Sequence, residues 1–401
     1  MANQETALQF DLWCGLFCIS AACGRATYVA RPRAPVYLNL YTILVAEAGT
    51  SRKSTSIRCV ASILSTLVGT PDVGGNWPIG MVDAKVTPEK LDAILHTRTE
   101  EFGSAQLCII VPELAVFMGT ERYIAHMPTL LTDLYDCPDR RFGGGTIERG
   151  SVVQHNVWIG FLSASTPTWL LKTVNPNVIE GGFTSRCYFI MSDLPKRRMA
   201  WPVDSDPNLL TDLREDVRII CNEAQVRGPI GITEEARSSF THWYENRQHS
   251  LDPFRQSFEA REDAHILRIA ALLSINDGSW IIKQEHLEPA TELIMGVKDG
   301  SSRIFEITNA RSKFALGLDV LRTQLITSGM DPVPRHRLYL KCRSHLDNIE
   351  FSALIEALQE LGAIQRFEYR DGIRGRPTDY IRGTQVLISQ GLGERVLERF
   401  S

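Results

Sequence analysis

None of the 9 cysteines forms a CxxC pair, so neither a zinc ribbon nor a disulfide framework is indicated and reduced thiols are expected. The first residues lack a basic leader, and the apolar stretch 12–23 is broken by Gly15 and Ser20 and is too short to cross a bilayer. A soluble, cytoplasmic protein without a membrane partner is the expectation. There is no internal repeat and no low-complexity tract. No carboxylates cluster at metal-binding spacing, so no nuclease, polymerase or primase centre is visible. A net charge of −4 over 401 residues also argues against a surface coated in basic groups.

What is present is globular. A chain 44% hydrophobic and 22% charged has enough apolar residues for two or three domains with proper cores. The charge is unevenly spread. Residues 311–382 hold twelve Lys/Arg against nine Asp/Glu, a balance of +3 that leaves −7 for the rest, so a nucleic-acid footprint would be local.

Apolar periodicity predicts a helix over residues 7–28, a buried strand over 36–46 (VYLNLYTILVA) and a helix over 53–68 with Ile57, Val60, Ala61 and Leu64 on one face. Thr87, Pro88 and Glu89 open a further helix. Residues 107–111 (LCIIV) and 157–163 (VWIGFLS) read as two more buried strands. Buried strands separated by helices predict an α/β fold, with a mostly parallel sheet covered on both faces.

The loop between the first strand and its helix, AEAGTSRKST at 46–55, places a Lys-Ser pair where a P-loop needs it. Gly49, Thr50, Ser51, Arg52, Lys53, Ser54 and Thr55 would cradle the phosphates of ATP, with Lys53 on the β/γ oxygens and the Ser54 hydroxyl on Mg²⁺. The pattern is incomplete, because Glu47 and Arg52 stand where it calls for glycine. Arg52 must then adopt backbone angles that glycine takes more easily. A helix start that happens to contain Lys-Ser is the competing reading of this segment.

The strand IIVPE (109–113) ends on Glu113, placed to activate water and support the metal as a Walker B carboxylate does. Pro112 replaces the customary Asp and cannot bind Mg²⁺, so metal binding rests on Ser54, the phosphates and waters, with Glu113 beside them. In GFLSASTP (160–167), Ser165 or Thr166 at the strand end can reach the γ-phosphate or the attacking water, and Thr166 also suits a helix cap. Residues 141–158 read as a hairpin turning at Arg149-Gly150, a basic tip that serves either nucleic acid or structure alone.

These segments, with LLTDLYDCP, GGFTSRCYFI and AHILRIAALL, resemble the RecA/AAA+-like ATPase domain of phage- and mobile-element replication proteins, and are similar in order to MCM-type and superfamily 3 helicases. The resemblance covers residues 8–300. It implies a Mg-ATP-dependent homo-oligomeric ring, a hexamer, acting on single- or double-stranded DNA, with a primase or other replication proteins as partners. It also implies catalytic roles for Lys53, Glu113 and Thr166, a subunit-bridging role for Arg186 in TSRC, and a second-sensor role for Arg268 in HILRIA.

A Pro- and charge-rich stretch at 193–208 marks the end of the core. The organisation expected is an ATPase core over 1–200, a helical lid over 201–303 and a winged-helix-like domain over 304–401. In the last, helices at 310–327, 334–342 and 349–361 precede strands at 363–369 and 378–382. The intervening wing carries Arg370, Arg374 and Arg376, which can follow a phosphate backbone; a protein-binding role for such a fold is the alternative. For the whole chain the expectation is a replicative DNA helicase. A helicase loader or initiator, or a catalytically weak DNA-binding protein, are the alternatives.

Overall fold

The computed structural model describes residues 5–32, 34–47, 49, 51–67, 79–118, 126–143, 152–167, 169–170, 182–192, 206–247, 250, 253–369, 378–388, 392–397 and 399. The chain forms two compact units, Met1–Ser302 and Arg303–Ser401.

The first unit opens with α1 (Leu8–Cys23), mostly apolar and buried through Phe10, Trp13 and Phe17. It ends earlier than its periodicity predicts because Gly24 takes φ 51°, a left-handed turn open to glycine. β1 (Tyr28–Val29) then pairs antiparallel with β2 (Val36–Tyr37). The apolar run 36–46 is therefore two strands, not one. Buried Leu38, Asn39 and Leu40 separate β2 from β3 (Tyr41–Val45), and the Asn39 amide donates to the Tyr135 carbonyl at 2.9 Å. A polar side chain with that fixed partner breaks the run where hydropathy alone continues it.

α2 (Lys53–Leu64) follows with Ile57, Val60 and Leu64 buried, and after it come β4 (Ile79–Val82) and α3 (Pro88–Phe102). The Thr87 hydroxyl accepts from the Lys90 amide, the cap expected there. β5 (Gln106–Val111), α4 (Leu114–Met118) and α5 (His126–Tyr135) lead to an antiparallel pair, β6 (Arg140–Gly143) with β7 (Val152–His155). This is the expected hairpin, but its turn, with Arg149, lies outside the described residues. β8 (Trp158–Ser165) and β9 (Cys187–Met191) complete the sheet.

Among the described residues that sheet has five strands, all parallel, in the order β4-β5-β8-β3-β9. Every residue of β3, β5 and β8 is buried, which fits strands covered on both faces. The rest of this unit is helical: α6 (Pro207–Arg227), α7 (Glu234–Asn246), α8 (Pro253–Glu259) and α9 (Glu262–Asn276), with the short parallel pair β10 (Gly231–Ile232) and β11 (Ile281–Ile282). Val217, Cys221, Ala236, Ile266 and Ile269 of these helices share one hydrophobic core with α1 and the sheet. These helices, in the region expected as a helical lid, belong to the first unit.

α10 (Gln284–Thr327) runs past the unit boundary as one helix. In the second unit its C-terminal part is followed by β12 (Val333–Pro334), α11 (Arg335–Cys342), α12 (Asn348–Glu360), β13 (Ile364–Tyr369), β14 (Thr378–Gly383) and α13 (Leu392–Leu397). The strands form an antiparallel sheet in the order β12-β14-β13 around Leu321, Leu338, Leu354, Leu358 and Ile381. Three helices and a hairpin give the winged-helix-like arrangement. Arg370, Arg374 and Arg376 lie outside the described residues.

Candidate functional site

In a parallel sheet all strands end at one edge, and here that edge gathers the loops of interest. Val45 at the end of β3 is level with Ser165 of β8 and Met191 of β9, while Val111 of β5 is level with Ser163 of β8. The chain after β3 enters the 46–52 loop, and the chain after β5 reaches Glu113. One strand, β8, lies between them, so β3 and β5 are about 10 Å apart. A phosphate group and a water fit across such a gap.

Lys53 is the first residue of α2, and its ammonium donates to the carbonyls of Ala46 at 2.5 Å and Glu47 at 3.0 Å. Partial burial lowers its pKa, and the Glu47 carboxylate works in the opposite direction. Ser51 is buried and its hydroxyl donates to the Ser192 carbonyl at 3.1 Å, which ties the loop to the end of β9. Gly49 has φ 80° and open space where a Cβ would stand. Arg52 takes φ 48° and ψ 36°, the left-handed conformation required of a glycine replacement, and its guanidinium bonds Glu5 at 3.0 Å. Ser54 is exposed and Thr55 half-buried, whereas Thr50 lies outside the described residues.

Whether ATP and Mg²⁺ suit this loop is tested by the start of α2. Among the described residues no side chain caps that helix, so the Lys53 and Ser54 N–H groups at its start are donors for an anion, with the lysine side chain and an uncrowded glycine beside them. The residues fit a phosphate. For the metal, Ser54 and Glu113 are the oxygen donors of the candidate set, and Pro112 offers none.

Glu113 is exposed, and its carbonyl accepts from the Val116 and Phe117 amides to begin α4. The Thr166 hydroxyl accepts from the Trp169 amide at 3.2 Å, a helix cap. The Ser165 hydroxyl donates to the Thr166 carbonyl at 3.3 Å.

Arg186 and Arg268 are elsewhere. Arg186 immediately precedes β9, whose first residue is level with Tyr41 at the start of β3. Four residues of strand, about 13 Å, separate that level from the edge that carries the 46–52 loop. Its side chain is only 9% exposed, pairs with Asp136 at 2.9 Å and donates to the Gly182 carbonyl. Arg268 is buried on α9 and donates to the Tyr37 carbonyl at 2.8 Å, the Tyr135 hydroxyl at 2.7 Å and the Tyr188 hydroxyl at 3.1 Å. The structure thus brings Lys53, Ser54, Glu113 and Thr166 to one edge and holds both arginines at the other.

Sequence reasoning missed the partners of those arginines, Asp136, Tyr135, Tyr188 and His265, and missed Arg261, which shares Asp136 with Arg186. His265 Nε2 lies 3.0 Å from the Ser185 carbonyl and therefore carries the proton, leaving Nδ1 to accept from the Tyr188 hydroxyl at 2.6 Å. Burial, and then the Arg268 guanidinium, push its pKa well below the usual histidine value. The sequence signal for Asp136 and His265 was their presence in LLTDLYDCP and in AHILRIAALL; Arg261 lies just before α9 and gave none.

No protein-family model matches the chain, and no curated protein matches it. Among solved structures it is similar to the Aeropyrum pernix ORC1 protein in complex with DNA, at 12% identity over 90% of this chain and 86% of that one, with a TM-score of 0.20. The Aeropyrum pernix ORC2 protein, solved as ADPNP-ADP complexes, gives 12% identity, the same coverage and a TM-score of 0.21. Likenesses this remote carry no argument about function.

Proposed function

We propose that this chain is a P-loop ATPase of the AAA+ type that uses Mg-ATP to act on DNA during replication. One observation carries the reading: Lys53 opens α2 and Glu113 follows β5 at the same edge of one parallel sheet, with β8 between them. ATP supplies the phosphoryl group and Mg²⁺ the charge neutralisation. Within the chain, Lys53 and the first N–H groups of α2 hold phosphate, Ser54 offers its hydroxyl to the metal, and Glu113 takes the proton of the attacking water. The winged-helix-like unit is the DNA-binding part.

In its finer form the proposal is a homo-oligomeric ring, a hexameric helicase of a phage or mobile element. The burial of Arg186 against Asp136 favours a second reading, a loader or initiator in which ATP drives assembly on DNA without translocation. ATP turnover with and without single-stranded DNA, measured alongside particle mass in nucleotide, tests the common core. No turnover under any condition would overturn it, and strand displacement separates helicase from initiator.

A further inference from the structure

A helix-turn-helix unit ordinarily presents its second helix of the pair to the major groove. In the second unit that helix would be α12, and its charge is of the wrong sign. Asp347 caps it, Glu350, Glu356 and Glu360 lie along it, and Asn348–Glu360 contains no Lys or Arg. Placed in a groove it would set four carboxylates within a Debye length, about 8–10 Å, of phosphates on both strands.

The preceding helix is the reverse. Residues 335–345 (RHRLYLKCRSH) hold Arg335, Arg337, Lys341 and Arg343 and no Asp or Glu, +4 against the −4 of residues 347–360. The two groups also differ in what they bond. Glu350 accepts from the Asp347 amide at 2.9 Å and pairs with Lys313, and Glu360 pairs with Arg399. Arg335 is likewise used inside the fold, donating to the Ser352 hydroxyl at 2.6 Å with its guanidinium over the Phe351 ring. Arg337, Lys341 and Arg343 are exposed and make no ion pair among the described residues. Arg337 and Lys341 are one helical turn apart, about 6 Å along the axis, on one face of α11.

Three unpaired cations beside an acidic helix are complementary to a polyanion approaching from the α11 side only. We infer that the C-terminal unit grips the phosphate backbone of duplex DNA through Arg337, Lys341 and Arg343, with α12 turned away from the duplex. Contacts of this kind position the protein without reading bases, so binding is strong in low salt and weakly dependent on sequence. The inference rests on the DNA-binding half of the proposed function.

The test is fluorescence anisotropy of the full chain with a labelled mixed-sequence duplex, titrated at several salt concentrations. Arg337→Gln with Lys341→Gln should weaken binding and reduce the slope of log K against log salt by about two units, and Arg343→Gln alone by about one, since each duplex phosphate contact contributes about 0.9. Circular dichroism checks that each variant is folded; Arg343 lies beyond the helix and its variant leaves α11 intact. Ile349→Ala with Gln359→Ala, on exposed positions of α12, should leave both affinity and slope unchanged. If the chain binds DNA and the α11 variants keep the wild-type slope, or if the α12 pair loses as much affinity as the α11 pair, the inference falls alone. A wild-type chain that does not bind duplex DNA at low salt removes it together with the DNA half of the functional reading, while ATP turnover still decides the ATPase half.

Discussion

The Lys53 ammonium lies 2.5 Å from the carbonyl oxygen of Ala46, so the lysine of the loop is folded back over the residue that ends β3. A phosphate entering the loop must exchange that bond for its own oxygens. Lys53→Ala should therefore abolish measurable turnover, on the order of 10²–10³-fold or more, and weaken nucleotide binding. The side chain is half-buried and, among the described residues, its two hydrogen bonds go to carbonyls of its own loop, so the thermal midpoint should scarcely move. Wild-type turnover in this variant would remove the P-loop assignment.

Glu113→Gln should separate binding from chemistry. Glu113 is exposed, and it is the carbonyl, not the carboxylate, that starts α4, so the amide keeps the fold. ATP affinity should stay near wild type while turnover drops roughly 10²–10⁴-fold, the contribution of a general base. Equal turnover would place the catalytic carboxylate elsewhere.

Arg186 has a structural partner and a proposed catalytic one, and the two can be told apart. Arg186→Ala removes a buried guanidinium from its pair with Asp136, which is over half exposed and retains Arg261 at 3.4 Å, and from the Gly182 carbonyl, so a loss of about 1.5–3 kcal/mol is expected. If the guanidinium completes a neighbouring subunit's site, the variant should bind ATP yet hydrolyse it poorly. Subunit exchange with Lys53→Ala should then restore part of the activity, because mixed interfaces pair an intact loop with an intact arginine. An exchanged mixture as inactive as both parents, beside an active wild-type control, would confine Arg186 to its own chain.

Arg268→Met should be costly to folding. The change deprives the Tyr37 carbonyl and the Tyr135 and Tyr188 hydroxyls of a charged donor in a buried setting, for a loss of about 3 kcal/mol or more in denaturant unfolding. A variant of wild-type stability that lacks turnover would return Arg268 to the catalytic set.

The neutral imidazole of His265 predicts an acid-side instability. Its folded pKa is depressed, so near pH 6 the unfolded chain binds a proton that the folded chain does not. Its contribution is complete above about pH 6.5 and is lost as pH falls below it, by at most about 1.4 kcal/mol per unit. Unfolding midpoints at pH 7.5 and 5.5 should differ more in wild type than in His265→Gln; equal differences would show that the imidazole titrates freely.

Much of the parallel sheet was legible because β3, β5 and β8 are short, fully buried and largely apolar runs, and the Thr87 cap announced α3 by its chemistry. The split between β2 and β3 was not, because the bond from Asn39 to the Tyr135 carbonyl joins residues 96 positions apart and leaves no local trace. That Lys53 and Glu113 share one edge of the sheet was readable for a related reason: each sits at the end of the strand or the start of the helix that positions it. Arg186 and Arg268 owe their surroundings to Asp136, Tyr135 and Tyr188, contributed by α5, the turn residue that follows it, and β9. Side-chain partners of that kind are set by the fold as a whole.

Arg52 changes what a missing glycine means in such a loop. Its backbone keeps the left-handed angles at a cost of about 1–2 kcal/mol, so the loop preserves its shape where the letter pattern is lost. Its side chain then does what glycine could not, anchoring the segment that leads into α1 through Glu5. The substitution converts a hinge-like residue into a tether, which links the 46–52 loop to the segment that leads into α1.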